Sequence, residues 1–207
     1  MIILQDGDVN ANDLDMMYSR IRHQLDTSSN VLESLLQWAK NEIAETSAHT
    51  GKVFLANVSN EVARQLKTSL EEKNIQFVND VSVDVVAFAD RFQVEIILRN
   101  LITNAIKFTN PGGQIRVYCK AAVETIEVYV EDNGMGMQEE EVNKLFQKGW
   151  HFTKGGTLKE KGTGLGLLIT KEIIAKNGGS IWVNSRKEEG TKFTFTLPMA
   201  KSKDSVA

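Results

Sequence analysis

Residues 98–109 read LRNLITNAIKFT, and the rest of the chain is best understood outward from this stretch. At the period of an α-helix, one apolar stripe contains Ile97, Leu98, Leu101, Ile102, Ala105 and Phe108. Asn100, Asn104 and Lys107 are spaced i, i+4 and i+7, so that they share a polar stripe on the same helix. The stretch therefore predicts a buried helix with two carboxamides and an ammonium group along one side.

This polar stripe has a specific chemical use. An asparagine oxygen is a neutral hard ligand, which suits Mg²⁺ that already carries phosphate and water ligands. A lysine one turn further along can neutralise a phosphate oxygen. Taken alone, however, the stretch favours the alternative, which is the solvated face of an amphipathic helix.

Residues 131–137 read EDNGMGM and directly follow a strand-like run. At the end of a strand, the Asp132 carboxylate can accept a hydrogen bond from the exocyclic amine of adenine, a donor that guanine lacks at that position. Gly134 and Gly136 let the backbone approach the base closely. An ordinary Asp-Asn-Gly turn needs the same backbone angles, so this segment alone decides nothing.

Residues 161–167 read KGTGLGL and lead straight into an apolar helical run. Successive backbone N–H groups in a glycine-rich turn at a helix N-terminus form an anion site that suits a triphosphate. The segment is neither a Walker A loop, which would end in Gly-Lys-Ser/Thr, nor a dinucleotide fingerprint, which would follow a strand at once. The glycine-rich stretch before it, residues 148–161, indicates a lid over the nucleotide.

Other elements follow from periodicity and turn residues. A helix is predicted to begin near Ser59, and Asp90 is predicted to cap the central helix, with Gln93 completing an imperfect capping box. The predicted strands are a run within 74–86, then 83–88, 114–121, 125–130, 180–185 and 191–197. A short acidic helix is predicted over 138–147, and Asn177-Gly178-Gly179 is predicted to end the last helix.

Together and in this order, the three segments resemble the N box and the two glycine boxes of the sensor histidine kinases. That family belongs to the GHKL superfamily of Bergerat-fold ATPases, with gyrase-type topoisomerases, chaperones and mismatch-repair proteins. The resemblance runs from about Val53 to Pro198. It implies an α/β two-layer sandwich, with a mixed, mainly antiparallel sheet and helices on one face.

The resemblance also implies roles for residues. By position, the nucleotide contacts would be Asn100, Asn104, Lys107, Phe108, Asp132, Gly134, Gly136, Met137, Lys161, Gly162, Thr163, Gly164, Leu165 and Gly166. Asn104 would be the Mg²⁺ ligand, and Asn100, Asn104 and Lys107 would form the catalytic group. In the hydrolysing relatives, a glutamate that activates water stands where this chain has Asn100, which cannot act as a general base.

The implied activity is transfer of the γ-phosphate of Mg-ATP to a histidine, for relay to the receiver domain of a response regulator. One alternative is an ATP-hydrolysing or serine-kinase member of the same superfamily. A second alternative, from a different class, is a non-catalytic scaffold that dimerises and docks a response regulator. The Asn100 position argues against the first, and the three intact segments argue against the second.

Residues 1–50 are predicted to be part of a dimerisation segment, residues 51–200 the catalytic ATP-binding domain, and residues 201–207 a polar tail. Over 13–45, apolar residues recur at three and four with no glycine or proline, which predicts a long α-helix. A helix of about thirty residues is ~45 Å long and cannot bury its stripe on a small domain alone. Pairing in a helical bundle, and hence a homodimer, is expected.

The phospho-accepting histidine is expected upstream of this chain, because the N-terminal segment resembles the second helix of a dimerisation hairpin. His23, in the stretch HQLDTS, is a degraded match to the family's acceptor signature and is the alternative. A nucleotide site without self-phosphorylation is therefore expected.

Composition excludes some classes. The 207 residues carry a formal net charge of -3, which gives no electrostatic footprint for nucleic acid. No apolar run approaches the ~18 residues of a membrane-spanning helix, although upstream segments anchor many sensor kinases in a membrane. The single cysteine, Cys119, agrees with the reducing cytoplasm.

Overall fold

A computed structural model describes residues 50–146, 155–158, 160 and 166–200 of the chain. The strands are β1 (Thr50–Phe54), β2 (Gln76–Asp80), β3 (Val86–Asp90), β4 (Gln114–Ala121), β5 (Thr125–Asp132), β6 (Ile181–Arg186) and β7 (Gly190–Pro198). The helices are α1 (Leu55–Gln65), α2 (Lys67–Glu72), α3 (Arg91–Phe108), α4 (Glu139–Lys144) and α5 (Gly166–Lys176). The long helix predicted over 13–45 lies outside the described residues.

The main sheet has five strands in the order β2-β4-β5-β7-β6. β2 runs parallel to β4, and the other neighbours are antiparallel, so the sheet is mixed and mainly antiparallel as predicted. β1 and β3 form a separate antiparallel pair. Side chains of β5 alternate between buried and partly exposed, because one face of the sheet is covered and the other faces solvent.

α3 is the central element of the covered face, where it contacts α1, α5 and strands of both sheets. Its apolar stripe is buried as predicted: Ile97, Leu98, Leu101, Ile102 and Ala105 are each at most 4% exposed. Phe108 differs, since it is only partly buried at the end of the helix. The predicted stripe is therefore correct along the helix and wrong at its last residue, where α3 leaves the core.

Two predicted boundaries are wrong. α1 begins at Leu55 rather than near Ser59, and no side chain caps it. Burial of Leu55 and Val58 fixes this start, and Ser59 lies buried inside the helix. Strand β3 is displaced toward Asp90, because Val83 is 72% exposed in the preceding turn.

The ends of the central helix are well defined. Asp90 caps α3 as predicted: its Oδ1 accepts hydrogen bonds from the N–H groups of Phe92 at 2.9 Å and Gln93 at 3.1 Å. The Gln93 side chain does not reach back to close a capping box and instead accepts from Asn177 Nδ2 at 2.6 Å. This contact joins the start of α3 to the end of α5, where Gly178 has a φ of 73°.

Among the residues that the structure describes, none of the helices combines the length and the apolar character needed to cross a bilayer.

Candidate functional site

Asp132 is the last residue of β5 and is only 6% exposed. Its Oδ1 accepts a hydrogen bond from the Gly134 N–H at 2.9 Å. Burial raises the pKa of Asp132 to about 6, although hydrogen bonds from the N–H groups of Gly134 and Thr191 oppose the shift. No cation of the described residues forms a salt bridge with this carboxylate, so its charge is balanced only by backbone N–H groups.

The turn after Asp132 is wedged against the end of α3. The N–H of Met135 donates to the Phe108 carbonyl oxygen at 3.0 Å. A side chain at Gly134 would overlap that same carbonyl, and a side chain at Gly136 would overlap the backbone of Arg186. Gly136 also has a φ of 59°, which favours glycine. The close approach of neighbouring backbone therefore requires glycine at both positions.

Met137 completes this turn and is 9% exposed. Its N–H donates to the Ser185 Oγ at 2.9 Å, and the Ser185 hydroxyl donates to the Gly190 carbonyl at 2.8 Å. The β6–β7 hairpin thereby also contacts and supports the turn. Nothing in the sequence marks Ser185 for this position, because the contact depends on the fold.

Asn100 joins α3 to the first turn of α5. Its Nδ2 donates to the Gly166 carbonyl at 3.4 Å and to the Thr170 Oγ1 at 3.2 Å. A side chain at Gly166 would come within 3.5 Å of the Asn100 Oδ1. The amide of Asn100 is therefore occupied in positioning the helix that follows the second glycine segment.

Asn104 lies one turn along and is partly buried. Its side chain makes no hydrogen bond with any other residue in the described ranges, which leaves the carboxamide oxygen available to a ligand. Those ranges contain no cluster of three or more His, Cys, Asp or Glu that could hold a metal ion. A cation here would take most of its ligands from phosphate and water, which is the coordination that Mg²⁺ prefers.

Lys107 is partly buried, and its Nζ lies 4.7 Å from the centre of the Phe108 ring. Desolvation lowers the pKa of Lys107, although the Glu160 carboxylate partly opposes this. A desolvated ammonium beside a helix end is a suitable partner for a phosphate oxygen.

The end of α3 holds three residues that the sequence analysis missed. Lys73 is 3% exposed, and its Nζ donates to the carbonyls of Ile106 at 2.7 Å and Lys107 at 3.0 Å. It also donates to the Thr157 Oγ1 at 2.6 Å and forms a salt bridge with the Glu160 Oε1 at 2.7 Å. In the sequence, Lys73 belongs to a charged run that looks solvated, so no local signal marks it.

The structure thus joins part of the predicted site. The polar stripe of α3 meets the start of α5 through Asn100, and it meets the glycine turn through the backbone bond between Phe108 and Met135. Five predicted nucleotide contacts lie outside the described residues: Lys161, Gly162, Thr163, Gly164 and Leu165. His23 and most of the predicted lid also lie outside them.

Comparison with known proteins agrees with this geometry. Residues 89–201, more than half of the chain, match the family described as histidine kinase-, DNA gyrase B- and HSP90-like ATPase. The adaptive-response sensory kinase SasA of Crocosphaera subtropica is 33% identical over 185 residues, which are 88% of this chain and 48% of SasA. The chain therefore spans about half the length of the curated relatives that it matches first.

Solved structures show the same fold. The catalytic domain of the histidine kinase ThkA, free of nucleotide, superposes with a TM-score of 0.63 at 31% identity and covers 72% of this chain and 97% of that domain. ThkA in complex with the response regulator protein TrrA gives a TM-score of 0.71 at 23% identity, over 96% of this chain and 53% of that one.

Proposed function

This chain belongs to the family of histidine kinase-, DNA gyrase B- and HSP90-like ATPases, among the sensor histidine kinases, and from that premise we propose that it binds Mg-ATP and passes the γ-phosphate to a histidine for relay to a response regulator. The bound nucleotide would lie between α3, the turn from Asp132 to Met137 and the start of α5. The acceptor histidine would lie in a dimerisation segment outside the described residues, which contain no histidine.

The observation that carries this proposal is the buried carboxylate of Asp132. A carboxylate that is 6% exposed, without a cationic partner among the described residues, is unfavourable unless a ligand completes its hydrogen bonds. The exocyclic amine of adenine is such a donor. Gly134 and Gly136 keep the neighbouring backbone free of side chains, so that a flat base can approach.

At the other end of the site, Lys107 and Asn104 would contact the phosphates and the cation. Phosphoryl transfer depends mainly on positioning and on charge neutralisation, and Mg²⁺ supplies part of that neutralisation when it is bound. The Lys107 ammonium would neutralise a phosphate oxygen, and the Asn104 carboxamide oxygen would coordinate the cation. Phe108 and Met137 would border the nucleotide.

Asn100 favours transfer over hydrolysis. Its side chain has no titratable group, and its Nδ2 is already engaged with Gly166 and Thr170. It therefore cannot take a proton from an attacking water molecule. An ATP-hydrolysing member of the superfamily would need another base in the site.

The remaining parts of the proposal concern partners and location. The relative ThkA forms a complex with the response regulator TrrA, which supports a receiver domain as the partner of this chain. The residues before Thr50 would mediate a homodimer. A cytoplasmic location fits a kinase that uses ATP.

The proposal is tested with Mg-ATP labelled on its γ-phosphate. We expect the wild-type chain to bind the label and to release it as intact ATP, because the described residues contain no histidine to accept it. Adding a separate dimerisation segment that carries an acceptor histidine should then give acid-labile label on that segment. Rapid release of free phosphate would show that the protein is a hydrolase. Failure to bind ATP would favour the alternative of a non-catalytic scaffold.

The control for this experiment is a pair of carboxylate variants. Asp132→Asn should lose the bound label, whereas Asp84→Asn, at an exposed position in the turn before β3, should keep it. Equal binding by both variants would exclude Asp132 as the adenine contact. Acid-labile label on the chain as it stands would instead make His23 the first candidate acceptor.

A further inference from the structure

Lys73 directly follows α2, and its ammonium group lies against the last turn of α3. A buried ammonium is strongly unfavourable unless its hydrogen bonds are all made. In this case they are, because five oxygen atoms surround its three N–H groups, among them the carbonyl oxygens of Ile106, Lys107 and Thr109 within 3.3 Å of the Nζ. These contacts satisfy carbonyls that the end of a helix leaves without a partner.

Lys73 also holds a second segment, formed by residues 155–158 and Glu160, which we call the clamp loop. The Thr157 hydroxyl accepts a hydrogen bond from the Lys73 Nζ at 2.6 Å, and the Thr157 backbone N–H donates to the Lys107 carbonyl at 3.0 Å. The Glu160 Oε1 lies 2.7 Å from the Lys73 Nζ, and its Oε2 accepts from the Leu158 N–H at 2.8 Å. The clamp loop therefore rests on the end of α3 through side-chain and backbone bonds together.

The clamp loop packs directly on Lys107. A side chain at Gly156 would approach the Lys107 Cγ and carbonyl oxygen to 2.6 Å, and the Gly156 N–H donates to the Glu160 carbonyl at 2.9 Å. Because Lys107 is enclosed between the Phe108 ring and this segment, the position of its ammonium depends on how the clamp loop is held.

We propose that Lys73 is a positioning residue that clamps the loop of Thr157 and Glu160 onto the end of α3 and thereby holds Lys107 where nucleotide phosphates bind. The clamping of the loop by Lys73 rests on the geometry alone, whereas the positioning of Lys107 for phosphates rests on the proposed function. In the Lys73–Glu160 pair the glutamate side chain is 26% exposed while the lysine is 3% exposed, so the glutamate is the partner that can be replaced without disturbing the core.

The test uses Glu160→Gln in the full chain, since replacing Lys73 itself would leave helix carbonyls unpaired and could prevent folding. Glu71→Gln is the matched control, because Glu71 pairs with Lys67 across exposed positions of α2. Hydrogen exchange of the clamp-loop amides reports the clamp. Affinities for Mg-ATP and for AMP report the position of Lys107, since only the former has the distal phosphates.

We expect Glu160→Gln to raise the exchange rate of the clamp-loop amides by about tenfold, the range for losing a charged hydrogen-bond partner. Mg-ATP affinity should fall by a similar factor while AMP affinity stays unchanged, whereas general destabilisation would weaken both. Thr157→Val should give the same pattern, and Thr157→Ser, which keeps the hydroxyl, should restore wild-type values.

Unchanged exchange in Glu160→Gln, or the same change in Glu71→Gln, would overturn the clamp. Faster exchange with unchanged or tighter Mg-ATP binding would overturn the positioning of Lys107, and tighter binding would show that Glu160 competes with phosphate for the lysine. If the wild-type chain binds neither nucleotide, the proposed function and the positioning role both fail, and the exchange data still decide whether the clamp exists.

Discussion

At the scale of single residues, Asp132 is a carboxylate that is almost fully buried in the candidate site. The desolvation that raises its pKa to about 6 opposes folding, because the ionised carboxylate is less stable in the folded chain than in the unfolded one. Such a cost is commonly retained at functional sites, where a ligand offsets it. The residue should therefore link stability, pH and nucleotide binding.

Asp132→Asn should stabilise the protein while it removes nucleotide binding. Between the ordinary aspartate pKa of 3.8 and the folded pKa of about 6, the folded state binds more protons than the unfolded state, so stability falls as pH rises through this window. At pH 7 the full penalty is present, and the uncharged asparagine removes it. We expect the free energy of unfolding to rise by on the order of 1 kcal/mol, measured by urea denaturation. A lower stability than wild type would contradict this account of the pKa.

Nucleotide affinity should depend on the same ionisation. The carboxylate is the better acceptor for the adenine amine, so Mg-ATP affinity should be constant above pH 7 and fall as the pH drops below about 6. Calorimetric titrations between pH 5 and 8 would measure this dependence. Since ATP itself titrates near this range, adenosine is the control, and a flat profile for adenosine would assign the effect to the phosphates.

At the scale of secondary-structure elements, the site is a junction at the end of α3. The Ala105 carbonyl accepts from Thr109, the Ile106 and Lys107 carbonyls accept from Lys73, and the Phe108 carbonyl accepts from Met135. The helix end is thus satisfied by separate parts of the chain. This arrangement fixes the polar stripe of α3 relative to the glycine turn.

Gly136→Ala should disrupt this junction. The residue has a positive φ, and a methyl group there would overlap the Arg186 carbonyl, so the turn must move away from the β6–β7 hairpin. We expect a loss of more than about 2 kcal/mol in the free energy of unfolding together with weaker Mg-ATP binding. Gly51→Ala in β1 is the matched control, because among the described residues no atom beyond its own and its chain neighbours' lies within 4 Å of the added methyl group. Similar stabilities for the two variants would show that the turn is not wedged.

At the scale of the whole molecule, the two sheets and their helices form one core, and the chain after β7 returns to β3. Met199 pairs with Ala87, and the Ala200 N–H donates to the Val86 carbonyl at 3.0 Å. The proposed nucleotide site spans α3, β5 and α5, so we expect ligand binding to shift the folding equilibrium of the domain as a unit.

Mg-ATP should therefore stabilise the whole domain against unfolding. At a concentration of about a hundred times Kd, a ligand that binds only the folded state adds about 2.7 kcal/mol. Thermal melts with and without Mg-ATP should show this shift in the wild type and no shift in Asp132→Asn. In Asn104→Ala, we expect only the Mg²⁺-dependent part of the shift to disappear. An equal shift from Mg-ATP in all three proteins would place the nucleotide elsewhere.

The sequence by itself determined the elements whose signal is local. The apolar stripe of α3 as far as Ala105, the Asp90 cap and the glycine end of α5 were predicted correctly, because helix periodicity and capping depend on residues only a few positions apart. The Bergerat-type architecture came from the order of three short segments. The start of α1 was missed, because burial rather than a capping side chain sets it.

Only the tertiary structure decided the environment of the site. Lys73 and Thr157 are 84 positions apart, and Asn100 and Thr170 are 70 apart, so no periodicity or motif can join them. The raised pKa of Asp132 likewise comes from its burial at the end of β5. Sequence patterns report which residues can do the chemistry, whereas desolvation and contacts between distant segments exist only once the chain has folded.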